Sequence, residues 1–490
     1  MAVAPDLHHA RRLAIGSVVA GLVLAACGDG ATVVTPVIDV PTDDTDATAS
    51  PLDGIALTVA HAGNDPDLDL ASHSFARGET LELPGVPFGD DLVIHMIGLV
   101  GASNIAYGRT CTIAVSAGAD PPRPHLFFSR SVKFASLDIA PVPRIGGLGI
   151  SYLGAALLVG GSNGSGGSNG LVTSVERFDP LTGQLTVIGG VMARDHAVEA
   201  LIGTSPPRAV VLGGNAGTAG AKFIEVLDDS RIDRLDVAEM ARIDLTATSL
   251  TDGRVIVIGG NAPGQPASGE IDEIAKNGEA YDVRKLTAVL AHPRGGHSAT
   301  LLGDDVGAPV LIAGGVDPAG LPIGVAELFK PLSEDLANPA TFAPAMIVAR
   351  HGHTATLMPD GSVLFIGGID ALGQPVRKLE LFSVDAGFVD VGELPAGAGV
   401  VDFTATTLPD GRILITGGRS MPGTQALNSA YIARLDPLDG SVDVVATDHL
   451  AIARANHQAI ALCDGTILVS GGTPGQFPAE RYNPPLLGRR

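Results

Sequence analysis

The sequence predicts an all-β chain: a small β-sandwich followed by a seven-bladed β-propeller, with six blades as the alternative. Three observations predict it. An alternating segment from His353 to Leu357 meets an Asp360-Gly361 turn, and a second apolar run from Val363 to Ile366 ends in Gly367-Gly368. Asp-Gly supplies the backbone angles of a tight hairpin, so this is a pair of antiparallel strands. Glycine pairs close an apolar run at Gly160-Gly161, Gly213-Gly214, Gly259-Gly260, Gly314-Gly315, Gly367-Gly368, Gly417-Gly418 and Gly471-Gly472, so the unit recurs roughly every 50 residues. The chain holds 64 glycines and no tryptophan, and no long amphipathic helical pattern follows residue 50.

With 490 residues and 45% hydrophobic content the chain can bury a large core and divides into two domains. A formal charge of −22 opposes nucleic-acid binding and adsorption to an anionic bilayer.

At the N-terminus, Arg11 and Arg12 precede an apolar run from Leu13 to Ala26, too short to span a bilayer and flanked as an export signal is. The run ends in Leu24-Ala25-Ala26-Cys27-Gly28, which resembles the lipobox of bacterial lipoproteins. The resemblance implies a signal peptide over 1–26, cleavage before Cys27, and lipidation of that thiol. The membrane would then be reached by the lipid anchor only, with the outer membrane or cell surface preferred to the inner membrane. Residues 28–51 mix Thr, Asp and Pro and read as a disordered tether after the lipidated cysteine. Its Asp43, Asp44 and Asp46 lack the glycine-bent loop and closing acid of a calcium site.

Residues 52–120 lack the glycine-pair motif. Thr80 to Leu83, Leu92 to Leu99 and Ile105 to Val115 alternate or run apolar between turn signals, which predicts a small, immunoglobulin-like β-sandwich. Cys111 lies in the last of these strands, as a buried thiol or as a partner for Cys463 in an oxidising compartment.

The propeller segment, 121–490, carries a second periodic signal. An arginine stands ten positions before the turn residue in Arg144, Arg194, Arg242, Arg294, Arg350 and Arg454; the sixth repeat has Val400. Histidine follows three positions later in His297, His353 and His457, and two later in His196. A third strand carries a glutamate in VERFDP, IEVLD, GEAYD, AELFKP, LELFS and AERYNP: Glu176, Glu225, Glu279, Glu327, Glu380 and Glu480. The sixth repeat reads ARLDP, with Ala433 in the glutamate's place.

These motifs resemble the kelch repeat family and the related galactose-oxidase-type propellers. The seventh repeat ends after its third strand, and the segment from Phe127 to Ile139 is expected to complete that sheet as its outermost strand.

Strand direction alternates, so the loops after the glycine pairs share a face with the arginines. Each arginine is expected to pass over its glycine pair and meet a glutamate, because the one repeat lacking the first also lacks the second. The competing reading makes the arginines a ring that captures an anionic ligand. The histidines are expected to be buried and hydrogen-bonded rather than metal-bound.

Galactose oxidase holds copper with two tyrosines and two histidines, one tyrosine crosslinked to cysteine and covered by tryptophan. Here there is no tryptophan, and the tyrosines are Tyr107, Tyr152, Tyr281, Tyr431 and Tyr482. No cofactor, metal or catalytic set is expected, and the chain is read as a non-enzyme. Variable loops on a rigid scaffold are where recognition resides. The candidate ligand loops are Ser162–Gly170, Asn261–Asn277 and Arg419–Asn428, through Asn163, Asn169, Asn261, Gln265 and Arg419. The expected function is that of an envelope-anchored binding lipoprotein whose ligand is a protein or polysaccharide. The alternatives are a structural or adhesive component, or a carbohydrate-active enzyme with a dispersed site.

Overall fold

The computed structural model describes residues 31–41, 52–62, 70–76, 79–166, 170–216, 220–228, 231–237, 240–336 and 344–484. Cys27, the signal segment, Asp43, Asp44, Asp46 and Asn169 lie outside them. Among the described residues the regular structure is β-strand only, and no helix is long and apolar enough to cross a membrane.

Seven four-stranded antiparallel sheets dominate, one for each glycine pair, and are numbered here as repeats 1 to 7. In repeat 5 the strands are Thr354–Leu357, Val363–Ile366, Lys378–Ser383 and Gly387–Glu393, paired in chain order. The second strand is the most apolar because it has a strand on either side and a neighbouring sheet on each face. Val363–Ile366, Val255–Ile258 and Ile413–Thr416 are buried throughout. The first strand is half-buried along its length, as in Ser298–Leu301 and Thr354–Leu357. Each first strand contacts the first strand of the next repeat, and His457–Ala461 of repeat 7 contacts Leu148–Tyr152 of repeat 1.

The sheet of repeat 7 takes its outermost strand from far upstream, with Lys133–Ser136 pairing antiparallel to Glu480–Asn483. Repeat 3 departs from the sequence reading. Its third strand is Glu270–Asn277 and its fourth is Ala280–Val289, so Gly278 and Glu279 form the turn between them. The loop after Gly259-Gly260 therefore ends near residue 269, not at Asn277.

The N-terminal unit is built on a six-stranded sheet. Gly54–His61 and Gly89–Val100 are its central pair, flanked by Ala71–Ala76 and by Ser103–Arg109, with Ser129–Arg130 and Ile113–Val115 completing it. The pair Ala31–Val34 and Leu83–Pro87 contributes Val34, Leu83 and Val86 to the core beneath this sheet, beside Leu57, Val59, Ile94, Met96 and Phe128. Val37–Asp39 pairs in parallel with His125–Phe127. Residues 31–39 are thus part of the fold rather than tether, because Val34 and its neighbours have a core to enter. The strand expected over Thr80 to Leu83 begins only at Leu83, and Ile105 to Val115 is broken between Arg109 and Ile113.

Cys111 and Cys463 form a disulfide, Cα to Cα 5.0 Å, so Cys111 is not a free buried thiol. The bridge ties the N-terminal sheet to the hairpin turn of repeat 7. Around it, Asn483 Nδ2 donates to the carbonyl oxygen of Tyr107 at 2.7 Å, and the Arg481 guanidinium stacks 4.1 Å from the Phe127 ring centroid.

Candidate docking face

The arginines begin the first strands, where the glycine pairs end the second. Bridges between Ile145 and Ser162, Asp195 and Asn215, His351 and Ile369, and Val401 and Arg419 hold each arginine's successor against the residue after the glycines. The loops that follow the glycine pairs therefore lie at the arginine end of the sheets.

In repeats 1, 2, 4, 5 and 7 the guanidinium crosses its own glycine pair. Arg144 Nη1 donates to Gly160 O at 2.7 Å, Arg294 Nη1 to Gly314 O at 3.1 Å, and Arg454 Nη1 to Gly471 O at 2.8 Å. Beyond the glycines it meets a carboxylate: Arg144 to Glu176 at 2.8 Å, Arg194 to Glu225 at 2.6 Å, Arg294 to Glu327 at 2.8 Å, Arg454 to Glu480 at 3.0 Å, and Arg350 to Glu380. The carboxylates also accept backbone N–H groups of the loop entering the repeat, as Glu225 does from Met192 at 2.8 Å and Glu327 from Ala291 at 2.8 Å. Burial lowers the pKa of Arg194, Arg294, Arg350 and Arg454, and the paired carboxylate opposes that shift. No such guanidinium is exposed, so a ring of arginines open to an anionic ligand does not exist here.

Two corrections follow from strand register. Arg242 pairs with Asp272, not with Glu279, which is exposed in the turn. In repeat 6 the position opposite the second strand belongs to Tyr431, not Ala433. Tyr431 pairs with Ile415, two residues before the glycine pair, as Glu380 pairs with Phe365. For Asp272 the signal was present, since the acid stands twelve positions after the second glycine in repeats 3, 4 and 5; in repeat 6 the same count falls on Ala430, one position before Tyr431. Val400 and Tyr431 join one hydrophobic cluster, so an apolar pair replaces the ion pair.

The glycines are required because the neighbouring repeat passes so close. A Cβ on Gly417, at φ +57°, would lie 2.4 Å from the carbonyl oxygen of Arg454. The second glycine of every pair donates its N–H to the next repeat's carbonyl, from Gly161 to Arg194 at 2.8 Å through to Gly472 and Arg144 at 2.7 Å. His297 Nε2 lies 3.0 Å from Thr246 Oγ1, His353 Nε2 3.0 Å from Ser298 Oγ, and His457 Nε2 3.0 Å from Thr404 Oγ1, each hydroxyl belonging to the preceding repeat. Burial pushes all three pKa values down to about 3. His196 is not one of this set, being 58% exposed.

Two residues after each arginine, or after Val400, the backbone is left-handed. Glycine holds this place in repeats 1, 4 and 5, but His196, Asp244, Asp402 and Asn456 hold it in the others. These residues link neighbouring repeats, with His196 N donating to Gly146 O at 2.7 Å and Asn456 N to Asp402 O at 2.8 Å. The carboxylate of Asp195, 3.3 Å from His196 Nδ1, raises the histidine's pKa, and Asp402 and Asp244 add to the effect. Arg419, from the loop of repeat 6, lies 3.1 Å from Asp402.

The other candidate loops are short and internally bonded. Asn163 Oδ1 accepts from Ser165 N at 2.9 Å, and Asn261 and Gln265 lie in a turn closed by Gln265 N to Ala262 O at 2.8 Å. Asp317 Oδ1 accepts from Leu321 N at 2.9 Å and Asp370 Oδ1 from Leu372 N at 2.8 Å, which holds Leu321 57% and Leu372 82% exposed at loop tips.

Among solved structures, the fold is similar to that of a fungal alcohol oxidase of the AA5 family in complex with copper. The two are 16% identical with a TM-score of 0.53, covering 72% of this chain and 76% of that one. A second similar structure is that of YjhT, at 13% identity and a TM-score of 0.42, covering 58% of this chain and 92% of that one. No family model matches, and no curated protein matches.

The fold is therefore shared with an enzyme, and the reading of this chain as a non-enzyme is corrected accordingly: the architecture gives no ground for it. The copper donors of the galactose-oxidase type do not fit the described residues. Tyr152 donates to Pro207 O at 3.1 Å, Tyr281 bonds Arg208, Tyr482 bonds Thr447, and Cys463 is in the disulfide. No three His, Cys, Asp or Glu side chains among the described residues come together as a metal site.

Proposed function

We propose that the seven sheets close into a seven-bladed propeller of kelch type, and that the face carrying the post-glycine loops docks a protein ligand in the cell envelope. The observation that carries this reading is the contrast between scaffold and loops. Arginine and carboxylate are consumed inside six of the seven sheets, while Leu321 and Leu372 are held out in solvent by turns that fix their backbone. Ordered, exposed apolar side chains lose little entropy on binding and gain buried area. Polysaccharide is the weaker ligand, because sugar stacking needs aromatics and, among the described residues, Phe477 is the one exposed large aromatic near these loops. An envelope location is supported by the lipobox-like segment at Cys27 and by the Cys111–Cys463 bridge, since such bridges persist outside the reducing cytosol. A catalytic role is the second reading, favoured by the fold shared with an alcohol oxidase and requiring donors other than that copper set.

The test uses a chain spanning 28–490, which keeps the strands at 31–39. Capture of a discrete envelope protein should be lost in the double variant Leu321→Asp, Leu372→Asp while its melting temperature stays within a few degrees of the parent. Undiminished capture by the folded double variant removes these loops from the docking face.

A further inference from the structure

The innermost strand of repeat 2, Val198–Ile202, carries an acid that the sheet architecture does not use. Five positions after the arginine, or after Val400, repeats 3 to 7 carry alanine and repeat 1 carries Gly149; repeat 2 carries Glu199. Val198, Ala200 and Ile202 pack toward repeat 3, beside Val255 and Val257. Ala197 and Leu201 pack toward repeat 1, beside Ile150. Glu199 shares the latter side, is enclosed by protein, and still touches solvent. Its strand has a sheet on each flank and its own second strand behind it, so that solvent lies on the axis of the ring.

The carboxyl has no partner of its own. No hydrogen bond or ion pair to its side chain is found among the described residues. The strands packed against it are Leu148–Tyr152, Arg208–Leu212, Thr246–Ser249, Val255–Ile258 and Glu270–Asn277. Their ionisable groups are engaged elsewhere: Tyr152 with Pro207, Arg208 with Asp233, Glu270 with Lys285, Asp272 with Arg242, and Glu273 with Arg254. Lys276 lies at the turn end, against Gly203. Burial alone pushes the Glu199 carboxyl up to about 7. Toward the arginine end, four positions before Glu199, Asp195 stands with Asp244 and Asp402 of other repeats at the channel mouth; Asp195 meets His196 and Asp402 meets Arg419, so a histidine and an arginine stand beside these three carboxylates.

We propose that the axial channel binds an organic diammonium ligand, one ammonium paired with the Glu199 carboxylate and the other held at the acidic mouth. A divalent metal needs several converging oxygen ligands, and none converge here, whereas an ammonium is satisfied by one carboxylate and nearby polar groups. Pairing with a cation stabilises the carboxylate, so binding near neutral pH releases the proton that Glu199 otherwise holds.

Binding on the axis rests on the closed ring proposed above, and closure is measured separately by comparing Gly471→Ala with Gly417→Ala. Calorimetric titration of the 28–490 chain with 1,4-diaminobutane should show one saturable site at pH 8, at least tenfold weaker at pH 5.5. At pH 7 the heat should vary with buffer ionisation enthalpy, reporting proton release. Glu199→Gln should weaken binding at least tenfold with its melting temperature unchanged or raised. Carbon-13 NMR of the parent should show the Glu199 carboxyl titrating near 7 and moving down on adding the diamine, a reading that needs no variant. Absence of a saturable site at pH 8, equal affinity at the two pH values, or full affinity in Glu199→Gln overturns the proposal.

Discussion

Arg350 and Glu380 are both fully buried, so each guanidinium and carboxylate has exchanged water for its partner and for backbone groups. Removing one partner leaves the other charged and dry, which costs about 3–5 kcal/mol, whereas replacing both by apolar groups that fill the space is often close to neutral. Repeat 6 contains such a replacement in Val400 and Tyr431. Arg350→Val and Glu380→Gln alone should therefore each lower unfolding free energy by about 3 kcal/mol or more. The pair Arg350→Val, Glu380→Tyr should recover most of that loss, as read from denaturant midpoints at constant slope. If the double variant is as unstable as the sum of the singles, Tyr431 is not an equivalent of the ion pair.

Between elements, buried apolar side chains pack each sheet against the next, and at the arginine end polar contacts add to them: a glycine N–H to the next arginine's carbonyl, and a histidine to a hydroxyl. His297, His353 and His457 have folded pKa values near 3, against about 6.5 in an unfolded chain. The unfolded state therefore binds more protons between those values. Stability is fully present above about 6.5 and falls as pH drops toward 3, with a limiting slope of about 1.4 kcal/mol per pH unit for each histidine. Repeat 6 has Phe403 at this position, against Gly367. His353→Phe, which copies that arrangement, should reduce the acid loss between pH 6.5 and 4.5, measured by melting temperature. An unchanged pH slope would falsify the assignment of that loss to His353.

The whole molecule depends on whether repeat 7 meets repeat 1 as tightly as any other neighbours meet. A Cβ on Gly471 would lie 2.4 Å from the carbonyl oxygen of Arg144, the same distance as Gly417 to Arg454 within the series. Both glycines have positive φ, so alanine at either costs about 1–2 kcal/mol from the backbone alone. With the ring closed, the carbonyl contact adds equally to both, and Gly471→Ala should destabilise as much as Gly417→Ala. A clearly smaller loss at Gly471 means that the two ends are not held together. The strand Lys133–Ser136 and the Cys111–Cys463 bridge act at this same place, joining upstream chain to the last repeat.

Much of the fold was legible in the sequence because its signals are local. Asp-Gly turns, alternating strands and glycine pairs declare each hairpin within about twenty residues, and the arginine ten positions before the turn declares the repeat. Five of the six arginine–carboxylate pairs were legible for the same reason, since their spacing repeats. What likeness among the third-strand motifs could not decide was register across strands of unequal loop length. Asp272 rather than Glu279 faces Arg242, and Tyr431 rather than Ala433 takes the acid's place, because a third strand is aligned by its pairing with the second and not by its resemblance to other third strands. The disulfide, the inclusion of residues 31–39 in the N-terminal core, and the solitary enclosure of Glu199 arise from contacts between residues far apart in the chain. Burial and partnership of that kind belong to the assembled tertiary structure, which alone brings the surrounding strands to each group.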